Sequence, residues 1–159
     1  AAEHAGASPA LASAVTAVFG VAVLVLAPMV ARLQRRIGPA ALIAGGALCA
    51  SAGCAVAAAS ARPLVVVPAT ALLGAAWAAM HSTLQTWATE VVPHARSAAV
   101  SLFACALFAG SALATMLGGG PADHGHFTAI FAVTTALALP LGFLGTFSRA
   151  RWDRGGPRR

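Results

Sequence analysis

Residues 77–104 read WAAMHSTLQTWATEVVPHARSAAVSLFA, and this stretch decides the fold. An uncharged run reaches back from it to Pro63, and a second runs on from it to Ala122. Between the two lies a short corner, Val91-Val92-Pro93-His94-Ala95-Arg96. Pro93 has no N–H with which to continue an incoming helix, and its ring drives Val92 out of the helical region. Ser97 stands where an N-cap hydroxyl is wanted, facing the unpaired amides of a new first turn. Both apolar runs exceed the roughly 20 residues that cross the hydrocarbon layer of a bilayer. The stretch is expected to form a transmembrane hairpin.

Composition extends this expectation to the whole chain. Of 159 residues, 59% are hydrophobic and 9% charged, and the mean hydropathy is +0.83. A soluble domain carries about 25% charged residues, so this chain lacks the polar surface to cover itself in water. Lipid must cover much of it. The net charge of +6 does not indicate nucleic acid. Every basic residue is Arg, nearly all lie outside the apolar runs, and no basic stripe interleaves with aromatics. Cys49, Cys54 and Cys105 fall inside apolar runs with no C-x-x-C spacing, which makes them small packing residues rather than disulfide or metal positions.

The hairpin theme repeats along the chain. AAEHAGAS is a short polar opening without the basic region of a signal peptide. Ser8-Pro9 supplies a cap and a proline at the first helical position. Spans are expected over residues 9–32, 39–61, 63–90, 97–120 and 127–148, followed by a basic tail over 149–159. The fold class is an all-α membrane protein with five transmembrane helices in a single domain. Pro28 sits inside the first span as a potential kink, which membrane helices tolerate when neighbours satisfy the freed carbonyl. Gly38-Pro39 and Arg62-Pro63 break the chain between spans, and Gly118-Gly119-Gly120-Pro121 is expected to end the fourth. With alternating loops, Arg62 falls alone on one side and the other nine of the ten arginines on the opposite side. Basic loops stay in the cytoplasm. The expected topology is a multi-pass plasma-membrane protein with its N-terminus outside and its C-terminus in the cytoplasm.

At this point a resemblance becomes specific. The residues Glu90, Val91, Val92, Pro93, Arg96 and Ser97 follow an apolar span, an arginine-rich loop and a pair of spans joined by a tight turn. This order resembles the C-terminal half of a major facilitator superfamily transporter, from its eighth helix to its twelfth, and most closely the bacterial drug- and sugar-efflux branch. In the first loop, Arg36 and Gly38 match the family's cytoplasmic signature. Arg35 stands at its acidic position and Pro39-Ala40 at its trailing basic pair. The resemblance implies a partial six-helix half of such a bundle, with the N-terminal half of the same transporter as the missing partner; the absence of an initiator Met agrees. It implies efflux of small molecules by alternating access around a midplane site, with a proton as coupling ion and no other cofactor. It also implies gating roles at the cytoplasmic loops for Arg36, Gly38, Glu90 and Arg96.

Helical arithmetic indicates which spans can line a cavity. At 100° per residue, Thr70, Gly74, Trp77, His81 and Gln85 fall within about 80° of arc on the third span. Ser97, Ser101, Phe108, Ser111 and Thr115 do so, within about 80°, on the fourth. The second span is nearly all Ala, Gly, Cys and Val, which suits close helix packing. The expected substrate cavity is therefore lined by Thr70, Trp77, His81, Gln85, Ser101, Phe108, Ser111 and Thr115. His81 is the ionisable group deepest inside a span, about 13 Å from the Glu90 end, and such a residue is a functional candidate by default. A neutral imidazole bonded to a neighbouring hydroxyl and a proton carrier are both open for it. Trp77 is placed either to stack on a substrate or to fill the space between helices.

Other classes fare less well. His81 and Glu90 lie about 180° apart on one helix and His94 falls beyond a proline, so they do not make a metal triad. The loop Asp123-His124-Gly125-His126 fits a solvated turn. No H-E-x-x-H, G-x-S-x-G or phosphate-loop pattern occurs, so no enzyme is expected. A non-transporting membrane subunit that associates through small-residue helix faces remains the alternative.

Overall fold

A computed structural model describes residues 9–60 and 62–155. Among them are five helices and no strand: α1 (Pro9–Leu33), α2 (Pro39–Ala59), α3 (Pro63–Val91), α4 (Arg96–Asp123) and α5 (Phe127–Gly155). All five are long and apolar enough to cross a membrane, as the charge-free runs require. Gly38-Pro39, Arg62-Pro63 and the Pro93 corner break the chain where expected. Pro39 and Pro63 open their helices, where a missing N–H costs nothing. Ser8 lies outside the described residues.

Three local expectations are corrected. The fourth helix does not stop at Gly118–Gly120 but runs through Pro121 to Asp123. Its stop is Gly125, in the left-handed region at φ 73°. There Gly125 N donates to Ala122 O at 3.0 Å and His126 N to Pro121 O at 2.8 Å. This is a Schellman ending, for which a residue without Cβ is the natural choice. Ser97 is not the cap of α4. The helix starts one residue earlier, at Arg96, behind Ala95 and with no side-chain cap, because Ala95 N already closes the corner onto Val92 O at 3.0 Å. Finally, the fifth helix does not end at Ser148 but takes in residues 149–155. They continue α5, where Arg149 reaches Asp153 one turn on at 3.0 Å and Arg154 Nε donates to Ala150 O at 3.1 Å.

The helices pack unequally. α2 lies between α3 and α5, and α3 carries α1 on its other side, which gives a continuous row α5–α2–α3–α1; α4 touches α3 and α5 far more sparsely. The core follows the row. Leu42, Ile43, Ala47 and Cys54 of α2 are buried, with Ala69, Ala76 and Ala79 of α3. The small residues of α2 thus hold it at the centre of the packed layer. At the α1–α3 crossing, a Cβ on Gly74 would lie 2.8 Å from Phe19 O and 2.7 Å from the Ala22 Cβ. Only a glycine allows these backbones to come so close.

Candidate functional site

Where α4 stands away from the row, an apolar cavity of about 510 Å³ opens. α3 supplies most of its wall, including Leu73, Trp77, Met80, His81 and Leu84, while Phe19 comes from α1, Ala50 from α2 and Phe103 and Leu107 from α4. Four rings cross it in sequence. Phe19 meets Trp77 edge-on at 6.3 Å. Trp77 and His81, one helical turn apart, stack nearly parallel at 4.7 Å and 10°. His81 then meets Phe103 at 5.4 Å, with the planes tilted by 57°. The row therefore joins α1, α3 and α4, and Trp77 remains 40% exposed. Spacing of four residues on a helix brings side chains face to face, so the Trp77–His81 stack was readable from sequence. Phe19 and Phe103 carried no such signal, because their places depend on how α1 and α4 are rotated.

Of the expected cavity residues, Trp77 and His81 line this space. Thr70 is half-buried near the α1 crossing, its hydroxyl donating to Val66 O at 2.7 Å. Gln85 is half-buried one turn beyond His81. Ser101, Phe108, Ser111 and Thr115 lie on an exposed face of α4, turned roughly 100° from the side that carries Phe103 and Leu107. Thr115 bonds its own helix, donating to Ser111 O at 2.9 Å. The opposite side of α3 is closed by protein. Thr83, 3% exposed, accepts from Gln34 Nε2 at 3.0 Å and donates to Ala79 O at 2.7 Å.

A second cluster sits at the arginine-rich end. Arg149 is buried, and its Nη1 lies 2.7 Å from a Glu90 carboxylate oxygen while Nη2 lies 3.0 Å from Asp153. Its guanidinium also lies over the Trp87 ring at 5.5 Å. Glu90 thus clamps α3 to α5; among the described residues it meets Arg149 and not Arg96. Arg36 and Arg96 are exposed, and Gly38 caps α2 with no side-chain bond. Gln34, not an arginine, ties the first loop to α3. An arginine next to the chain's end reads most simply as a topology signal, although the Arg149–Asp153 spacing does suit a helical pair. Among the described residues no group of three His, Cys, Asp or Glu could hold a metal ion. His124 and His126 stack at 6.2 Å in the turn between α4 and α5.

Long apolar helices around an apolar cleft are what the comparison with known proteins has to account for. The family model of the Major Facilitator Superfamily matches residues 1–158. The chain belongs to that superfamily. No curated protein and no solved structure gives a match. Members of the superfamily are transporters, and five apolar helices make this one a multi-pass membrane protein.

Proposed function

We propose that the protein is the C-terminal portion of a secondary transporter of the bacterial drug- and sugar-efflux branch. In this reading it forms one wall of a pathway for small molecules and rocks against a further N-terminal bundle. The observation that supports it is the aromatic row Phe19–Trp77–His81–Phe103. It gathers ligand-competent side chains from three helices at a cleft where the packing between the row and α4 is open. A purely structural subunit has no need to leave a cavity of about 510 Å³ inside the bilayer. The reading includes a plasma-membrane location, an outside N-terminus and a cytoplasmic C-terminus, supported by the distribution of arginines. It also includes proton coupling, which rests on family likeness. The rings nearest His81 are Trp77 and Phe103, with no acid among them. An acidic coupling group then belongs to the other bundle.

The test needs no known substrate. A single cysteine replacing Trp77, in an otherwise cysteine-free protein in sealed inside-out vesicles, is labelled with a hydrophilic thiol reagent with and without an acid interior. Proton-driven alternating access predicts that the gradient changes the labelling rate. A rate indifferent to the gradient contradicts coupling. For orientation, cysteines replacing His126 and Arg154 are treated in intact cells with an impermeant reagent: His126 is expected to react directly and Arg154 only after permeabilisation. The reverse pattern overturns the topology.

A further inference from the structure

We infer that the ligand of this cavity is an uncharged, planar aromatic molecule carrying one hydrogen-bonding group, such as a phenol. The inference rests on the pathway reading above and narrows it to a substrate class.

Three observations lead to it. The first is charge. Among the residues lining the cavity, His81 is the single ionisable group, and the rest of the wall is Phe, Trp, Leu, Met and Ala. Lipophilic cations are held by carboxylates, often together with aromatic faces, and anions by Arg or Lys; the wall has aromatic faces but no carboxylate, Arg or Lys to balance a full charge. Glu90 and Arg149 pair with each other at the arginine-rich end and do not line the cavity. A charged ligand would leave water without a counter-charge to meet it.

The second observation is shape. The rings stand in a row that crosses the cleft, with Trp77 40% exposed at its middle. Stacked and edge-on contacts favour a flat π-system over a saturated skeleton of equal size. The space, about 510 Å³, falls in the range of roughly 300–1,000 Å³ typical of small-molecule sites.

The third is polarity. Neither nitrogen of His81 has a hydrogen-bond partner among the described residues, so the imidazole has one donor and one acceptor to offer. That matches a single hydroxyl or carbonyl on a ring edge. It does not match a sugar, whose several hydroxyls each need a partner when they leave water.

The test is equilibrium binding of radiolabelled 2-naphthol to the protein in lipid nanodiscs, corrected against empty nanodiscs. Competitors are decahydro-2-naphthol, which keeps the skeleton but not the π-system, 2-naphthyltrimethylammonium and glucose. Saturable binding is expected, with the decahydro compound and the cation each weaker by roughly tenfold or more, and glucose inert. Trp77→Leu is expected to weaken naphthol by roughly tenfold, while Trp152→Leu on α5, away from the cavity, leaves it within about twofold. If Trp77→Leu does not fold, Phe103→Leu on the opposite wall decides in the same way. Equal displacement by the decahydro compound, tighter binding of the cation, indifference to the ring substitutions, or no saturable binding would each overturn the inference. The two ideas fail separately. If Trp77→Cys labels from water but naphthol does not bind, the substrate class is wrong and the pathway stands. If naphthol binds but that cysteine never meets water, the pathway reading is the one that falls.

Discussion

α2 and α4 are both rich in small and aliphatic residues, and they come to rest in opposite surroundings. In α2, Leu42, Ile43, Gly46, Ala47, Ser51, Gly53 and Cys54 are buried; in α4, only Ala99 is. The glycines make the contrast concrete. A Cβ added at Gly53 would lie 2.9 Å from Ala69 O, and one at Gly142 of α5 would strike the Ala47 side chain of α2. A Cβ at Gly110, Gly118, Gly119 or Gly120 of α4 would meet nothing within 4 Å. Small residues are thus a licence for close packing and not a cause of it. α2 uses the licence twice, towards α3 and towards α5. α4 stands off from the row and leaves a cleft, and the candidate site lies in that cleft. In a bilayer there is little hydrophobic drive between helices, so shape fit decides which faces close.

The largest expected effect tests this contrast directly. Gly142→Leu forces α5 away from α2 and should cost roughly 3 kcal/mol, the upper end for overpacking, measured as unfolding of the purified protein in mixed micelles. Gly110→Leu on α4 should stay within about 0.5 kcal/mol. Equal losses would mean that α4 is packed as tightly as α2 and that the cleft is closed.

Next in size is the clamp at the end of the row. Glu90→Gln removes one carboxylate from a buried guanidinium and leaves Asp153 as its partner. A fully buried pair broken on one side loses about 3–5 kcal/mol. Glu90 keeps 45% of its side chain exposed, so a loss of about 1–2 kcal/mol is expected. A double-mutant cycle with Arg149→Met should recover most of it as coupling. Additive losses would show that the two residues act apart.

The smallest of these effects compares two threonines. Thr83→Val deletes the acceptor of the Gln34 amide and should cost about 1 kcal/mol in the same assay. Thr115→Val on α4 removes only a bond to its own helix and should cost less than about 0.5 kcal/mol. If Thr115 proves the costlier, the exposed face of α4 is engaged with something that holds its hydroxyl.

The fold was legible because crossing a membrane depends on local properties: run length, absence of charge and the placement of prolines. Where the expectation missed, the determinant was elsewhere. Gly125 ends α4 because two amides find carbonyls around it, and not because of the glycine cluster upstream. Arg149 looked like a topology signal because its partner Glu90 lies 59 residues away. The site was half legible for a similar reason. Periodicity places Trp77 and His81 on one face of α3, and it equally places Ser101, Phe108, Ser111 and Thr115 on one face of α4. It says nothing of the azimuth at which each helix meets its neighbours. α3 turned Trp77 and His81 into the cleft; α4 turned Phe103 and Leu107 there instead.

The central claim is that one face of α3 meets the pathway and the opposite face meets protein. It is tested most directly with single cysteines replacing Trp77, His81, Gln85 and Thr83 in the cysteine-free, membrane-embedded protein, probed with a small hydrophilic thiol reagent. The account predicts labelling at the first three positions and little at Thr83, which is 3% exposed and bonded to Gln34. Equal labelling at all four, or labelling at Thr83 alone, would contradict it.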